Sequence, residues 1–238
     1  AGGVWALKDW DNWIENDELG QIAFQFGTRP LLTKESPIPD SWKNELIKIK
    51  EGDVLLHKFS PTGFYSSAVR NEFLHSLEAR SDRQIPYSTE KAGEHTHQLD
   101  VGVKGKNFWV TRNDLLRARG WDGLGFTMAL KTPDNTIIFT TPEEAKMIRK
   151  DQADCMGCLS HCGFSAWKDH DNFSTGRLAD PRSFCIQKSL QEIVHGSPIE
   201  EHLMFAGHGA YNFGKDPFYS NGFVPTVKQL VDRILTGE

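Results

Sequence analysis

The sequence lacks any long hydrophobic run, has little cysteine and carries no excess of positive charge. Because it has no run of about 18 apolar residues, we predict no membrane span. No signal peptide is visible at its start. The formal net charge is −5, whereas nucleic-acid binders are normally basic, so we predict no nucleic-acid partner. The 238 residues are enough for one or two domains with a real core.

The first residues, Ala1-Gly2-Gly3-Val4, include no methionine. They are typical of a buried strand that ends in a turn. We therefore expect the chain to be a fragment or a processed piece of a longer protein, with an ordinary mature terminus as the alternative.

The only four cysteines all lie between positions 155 and 185. A secreted disulfide scaffold would be shorter and richer in cysteine. The clustering indicates a metal or cluster site in a reducing compartment, and we predict the cytoplasm. Cys155 and Cys158 form a C-x2-C pair, Cys162 follows after three residues, and Cys185 after twenty-two more.

Four thiolates suit a [4Fe–4S] cluster, and the same number suits a tetrahedral zinc ion. A C-x2-C-x3-C run with one remote cysteine is more typical of clusters than of zinc ribbons, so we favour the cluster. Disulfides or free thiols are a third interpretation. Arg177, Arg182 and Lys188 lie near Cys185 in the sequence, where they either stabilise a negatively charged cluster or are ordinary surface charges.

Local patterns predict a mixture of helices and strands. Helices are expected over 8–16, 41–49 and 67–77, and strands over 22–26, 54–59, 108–110 and 136–140, with a polar loop over 80–106. Residues 1–30 therefore suggest strand end, helix and strand, as in a parallel β/α repeat. Thr111, Thr141 and Thr226 each begin a helix-start motif, and Gly237 stops the last helix.

Glycines at two predicted strand ends suggest a phosphate site. Gly2 and Gly3 follow the first strand end, and Gln25-Phe26-Gly27-Thr28 closes the next. In β/α barrels the loops after the last two strands often bind phosphate. Glycine lets backbone N–H groups approach a phosphate, Thr28 adds a hydroxyl donor, and Gln25 could reach a flavin edge.

Several short pieces of sequence recur together in one known family. They are Ala1-Gly2-Gly3, Gln25-Phe26-Gly27-Thr28-Arg29, Glu35-Ser36, Thr62-Gly63, Val69-Arg70-Asn71, Phe205-Ala206-Gly207-His208-Gly209-Ala210 and the helix over 226–235. Together they resemble the last two barrel units of the nitronate monooxygenase superfamily, formerly called 2-nitropropane dioxygenases. The resemblance covers less than half of the chain.

The resemblance implies FMN in a TIM barrel. The flavin phosphate would lie on Gly2, Gly3, Gly27 and Thr28, with Gln25 and Phe26 close by. The family's catalytic base is a histidine from an earlier barrel strand that this sequence does not contain, so no catalytic residue is assigned.

The expected fold class is α/β, the C-terminal part of a (β/α)8 barrel with a large mixed insertion. Residues 1–71 would be the last barrel units, 72–200 the insertion with the cysteines, and 201–238 a segment that packs back on the barrel. Because a half barrel leaves an unpaired edge strand, we expect association with a missing N-terminal half, and a homo-oligomer is possible.

The expected function is an FMN-dependent oxidoreductase, similar to a monooxygenase or dioxygenase, with a [4Fe–4S] cluster. It would oxidise an activated carbon in a small-molecule nitronate or an acyl thioester. One alternative is a dehydrogenase/isomerase that acts on acyl chains carried by acyl carrier protein, or an enoyl reductase. Another is a non-catalytic, metal-stabilised module that completes a separate barrel half.

Overall fold

Helices and short strands follow one another irregularly along the chain. A computed structural model describes residues 3–103, 107–168 and 175–237. The α-helices are α1 (Asp11–Ile14), α2 (Asp40–Lys48), α3 (Glu72–Asp82), α4 (Arg112–Gly123), α5 (Pro142–Ala153), α6 (Ile186–Val194) and α7 (Val227–Thr236). The strands are β1 (Val54–His57), β2 (Ser66–Val69), β3 (Gln84–Pro86), β4 (His97–Gln98), β5 (Trp109–Val110), β6 (Met128–Lys131) and β7 (Thr136–Thr140). Short 3-10 helices cover Leu7–Trp10, Arg29–Leu31, Ile199–Glu201, His208–Gly214 and Pro217–Gly222.

Strand pairing is antiparallel throughout the described residues. β1 pairs with β2 and β4 with β5, while β7 lies between β3 and β6. A piece of a (β/α)8 barrel would instead have parallel neighbours. The mixed α/β class is confirmed, but the described ranges form no closed barrel, and the TIM-barrel prediction is not confirmed.

Three of the predicted elements differ in the structure. Residues 22–26 form no strand, since no neighbouring strand in the described part of the chain pairs with them. The helix expected over 67–77 is a strand followed by a helix, because β2 pairs with β1 and α3 begins only at Glu72. The loop expected over 80–106 contains β3 and β4.

The helix-start motifs are confirmed. The hydroxyls of Thr111, Thr141 and Thr226 each accept a hydrogen bond from the backbone N–H three residues later. Thr226 also forms a full capping box with Gln229, and Gly237 ends α7 in the left-handed conformation. The helix over 41–49 and the strands over 54–59, 108–110 and 136–140 are present within a few residues of their predicted bounds.

The chain divides into two compact units. The first contains Ala1–His57, Ser66–Leu74 and Leu190–Glu238, and the second contains Lys58–Tyr65 and His75–Ser189. The second unit overlaps most of the range predicted as an insertion. No helix in the described ranges is long and apolar enough to cross a membrane.

The core of the first unit forms around α2. Trp42 and Leu46 of this helix are almost fully buried against Phe213 and Tyr219. The 3-10 helix His208–Gly214 approaches α2 closely: a Cβ on Gly214 would lie 3.3 Å from the carbonyl oxygen of Ile47.

The second unit places its three-stranded sheet between two helices. Ile137 and Phe139 of β7 pack on the side of α4, whereas Ile138 packs on the side of α5. This alternation is expected, since successive strand side chains point to opposite faces. The α5 side of the sheet also receives Cys162 and Phe164, so the cysteine segment is part of this core.

Candidate functional site: four cysteines in the second unit

Helix α5 leads directly to the first cysteine. Thr141 caps the helix, its hydroxyl accepting a 3.1 Å hydrogen bond from the N–H of Glu144, and Pro142 occupies the first helical position. The helix ends at Ala153, and Cys155 follows two residues later. Near its end, Gln152 donates a 3.0 Å hydrogen bond to the carbonyl of Phe164, which ties the helix to the cysteine loop.

A tight turn separates Cys155 from Cys158. Gly157 has a φ of 72°, in the left-handed region that favours glycine. A Cβ at this position would lie 2.5 Å from Cζ2 of the Trp167 indole. Glycine is therefore required here both by the backbone conformation and by the ring that lies against it.

The loop then returns to Trp167. Cys162 and Trp167 form an antiparallel bridge, and the non-glycine residues His161 and Ala166 have φ values of 56° and 57°. The Cys155 thiol donates to the hydroxyl of Ser165 over 3.2 Å, and the same oxygen accepts the N–H of Trp167. These contacts hold the segment from Cys155 to Trp167 in one folded loop.

Cys185 lies immediately before α6. Its sulfur accepts a 3.5 Å hydrogen bond from the N–H of Lys188, and its carbonyl accepts the N–H of Ser189. The sulfur therefore lies at the N-terminus of α6, against a backbone N–H group of its first turn.

The positively charged groups near Cys185 are already paired. Lys188 forms a 2.7 Å ion pair with Asp151. Arg182 contacts Asp180 and Asp134, each over 2.7 Å. Burial would raise the pKa of Asp134, but hydrogen bonds from Thr132, Arg182 and Thr136 lower it to about 2. Two of the three cations that the sequence places beside Cys185 thus hold carboxylates.

The four thiols are free, and three of them act on the fourth, Cys158. Partial burial raises the pKa of Cys158, and Cys185, Cys162 and Cys155 raise it further. As the side chains stand, however, the described residues contain no group of three or more His, Cys, Asp or Glu spaced to hold a metal ion. The four sulfurs share one region of the unit without forming a closed ligand set.

The donor chemistry nevertheless fits a thiolate-bound centre. All four groups are thiols, and each mutual effect on Cys158 is the repulsion between negative charges that a bound cation would remove. Cys162 is buried in the core, whereas Cys158 is exposed, so a centre held here would lie at the edge of the unit.

The predicted phosphate site lies in the first unit. Gly2 is outside the described residues. Gly3 and Gly27 are exposed, with open space where a Cβ would be. The Thr28 hydroxyl accepts a 2.8 Å hydrogen bond from the N–H of Gly207, which leaves its proton free to donate. Gln25 and Phe26 lie in the segment 22–26, which forms no strand, so Gly27 and Thr28 do not follow a strand end as predicted.

Sequence reasoning missed the residues that support the cysteine loop. Trp167, Ser165 and Gln152 all contact it directly. The glycine inside Cys155-Met156-Gly157-Cys158 is a signal for a tight turn, but nothing in the sequence names the ring that lies against it.

Comparison with known proteins leaves the family open: no family model matches the sequence, and no curated protein or solved structure gives a significant match. The resemblance to nitronate monooxygenases stays a prediction.

Proposed function

We propose that Cys155, Cys158, Cys162 and Cys185 ligate one [4Fe–4S] cluster, and that the chain belongs to a redox enzyme. The observation that supports this is that four free thiols lie in one small unit, where Cys185, Cys162 and Cys155 all raise the pKa of Cys158. Such thiols suit a reducing compartment, for which the cytoplasm is our proposal.

The chain would contribute more than the ligands. The N–H of Lys188 would stabilise the thiolate of Cys185, and the loop held by Ser165 and Trp167 would fix the three clustered cysteines. When bound, the cluster would carry single electrons at a potential set by hydrogen bonds and solvent exposure. The pairing of Lys188 with Asp151 leaves little net positive charge beside the sulfurs.

In the same proposal FMN would supply the redox chemistry at the substrate. Gly3, Gly27 and Thr28 would bind the flavin phosphate, and we propose a separate barrel half as the partner that carries the rest of the flavin site. The substrate would be a small-molecule nitronate or an acyl thioester, oxidised at the activated carbon. The catalytic base would come from the other half.

Anaerobic purification of the full chain tests the cluster. We expect a coloured protein whose visible absorbance bleaches on reduction, with four iron and four sulfide atoms per chain. Substituting each cysteine by serine in turn should lower the iron content, while His161→Asn, in the same loop, should retain it because asparagine tolerates its positive φ. A colourless protein that contains only zinc would contradict the proposal.

A separate titration tests the flavin. We expect the purified chain alone to quench the fluorescence of added FMN. A chain that keeps its cluster but never binds FMN would instead be the non-catalytic module.

A further inference from the structure

A cavity of about 280 Å³ in the first unit contains a buried arginine. Arg29 is only 3% exposed, and its guanidinium lies 4.5 Å from the centre of the Trp5 ring and 5.8 Å from that of Tyr219. The two rings hold the group by cation–π contact.

Only some of the N–H groups of the Arg29 guanidinium have a hydrogen-bond partner. Its Nε donates to the Tyr219 hydroxyl over 3.1 Å, and Nη1 donates to the carbonyl of Trp5. The remaining nitrogen, Nη2, is buried without a hydrogen-bond partner. Within the described residues no carboxylate forms an ion pair with Arg29. Burying a charge without a counter-ion costs free energy. Arg29 therefore suits a bound anion that comes from outside the chain.

One of the two acids that line the cavity is already occupied. Asp216 accepts hydrogen bonds from the Trp5 indole N–H at 2.7 Å, the Phe218 N–H at 2.9 Å and Arg233 at 3.0 Å. Burial acts to raise the pKa of Asp216, but these donors together have the larger effect and lower it below its usual value. The side chain is therefore a carboxylate that pairs with Arg233. It is therefore not free to neutralise Arg29.

The charges around the cavity are unbalanced. Four cationic and two anionic side chains line it, a formal excess of two positive charges: Lys8, Arg29, Lys215 and Arg233 against Asp9 and Asp216. Lys215 also forms a 3.3 Å ion pair with Glu51 outside the lining. An excess of this size suits a dianion, and guanidinium groups bind phosphate oxygens with good geometry.

We infer that this cavity binds a phosphate dianion, with Arg29 Nη2 as the central donor and Lys8 at the rim. The phosphate is either free inorganic phosphate or the phosphate group of a larger ligand such as an adenine nucleotide, and this cavity is separate from the proposed flavin site at Gly3, Gly27 and Thr28. The site involves none of the cysteines, so it stands independently of the proposed cluster.

Calorimetric titration of inorganic phosphate into the full chain, at constant ionic strength set with sodium chloride, tests the site. We expect saturable binding that Arg29→Gln weakens by at least about tenfold. Lys34→Gln removes an exposed charge of the same unit away from the cavity and should leave the affinity unchanged. No saturable heat from the wild type would overturn the inference, as would equal affinity in folded Arg29→Gln.

A substitution at the edge of the cavity provides a second test, which is needed if Arg29→Gln does not fold. Lys8 is exposed, and Lys8→Gln should keep the native circular dichroism and weaken phosphate binding by about threefold. Unchanged affinity in that variant would overturn the inference.

Competition identifies the source of the phosphate. If AMP binds and phosphate displaces it while adenosine does not bind, the site holds the phosphate group of a nucleotide. If phosphate binds and AMP does not, the ligand is the free anion. Both outcomes support the site, and both are separate from the iron analysis of the cluster.

Discussion

Gly157 lies against the indole of Trp167, so close that a single added carbon would be 2.5 Å from the ring. The glycine lies between Cys155 and Cys158, and Trp167 bridges to Cys162. One contact thus joins the two ends of the cysteine loop, and the arrangement of three of the four thiols depends on it.

Gly157→Ala should therefore disrupt the loop. Alanine adds the strain of a left-handed conformation, about 1 kcal/mol, and a clash that forces the ring away. We expect a lower free energy of unfolding and a much lower iron content after anaerobic purification. Gly63 is the matched control, since its φ is 77° and no atom lies within 4 Å of its missing Cβ. If Gly63→Ala and Gly157→Ala lose iron equally, the ring contact has no special role.

The N-cap of α5 should matter for the site as well as for stability. Thr141→Ala removes the hydrogen bond to Glu144 and should lower the free energy of unfolding by about 1 kcal/mol. Because α5 delivers Cys155, we also expect faster loss of iron to a chelator. Thr111→Ala removes the equivalent cap from α4 and should reduce stability similarly without faster iron loss. Equal iron loss in both variants would show that only global stability matters.

Acid should weaken the contact between Asp134 and Arg182. The pKa of Asp134 falls from 3.8 to about 2 on folding, so its stabilisation is present above pH 4 and is lost as the pH falls through about 2. Its side chain is 53% exposed, so we expect Asp134→Asn to cost only about 0.5–1 kcal/mol at neutral pH.

Denaturant unfolding of the wild type and Asp134→Asn, measured at several pH values, checks this. Their difference in free energy of unfolding should be constant above pH 4 and shrink below it. A difference that persists to pH 2 would contradict the assigned pKa.

Shortening a buried side chain on one face of β7 should affect the cysteine site, whereas the same change on the other face should not. Ile138→Val and Ile137→Val each remove one methylene group from a fully buried side chain and should each cost about 0.5–1.5 kcal/mol. Only Ile138 lies on the side of Cys162, so only that variant should alter the visible spectrum of the bound centre. Identical spectra would show that the centre does not sense this face of the sheet.

Features that depend on neighbouring residues were predicted well, whereas the pairing of strands was predicted poorly. The caps at Thr111, Thr141 and Thr226 depend on atoms three residues apart, so the sequence contains all that is needed. The prediction of a strand over 22–26 was wrong. A strand forms only when a second strand pairs with it, and the apolar run does not reveal whether such a partner exists. β2 was mistaken for helix for the same reason: its hydrogen bonds go to β1.

The candidate site shows the same division. Cysteine spacing is local and identifies the candidate ligands, including the tight turn at Gly157. The contacts of Arg182 with Asp134 and Gln84 span 48 and 98 residues, so no short motif could have named them. The buried Arg29 was likewise invisible, since its partner Tyr219 lies 190 residues away.

The most direct test of the central claim is the native mass of the full chain after anaerobic purification. We predict one dominant species, heavier than the bare chain by four iron and four sulfur atoms, that disappears in Cys185→Ser. A mass equal to the bare chain, or to the chain with a single zinc ion, would contradict a cluster held by these four cysteines.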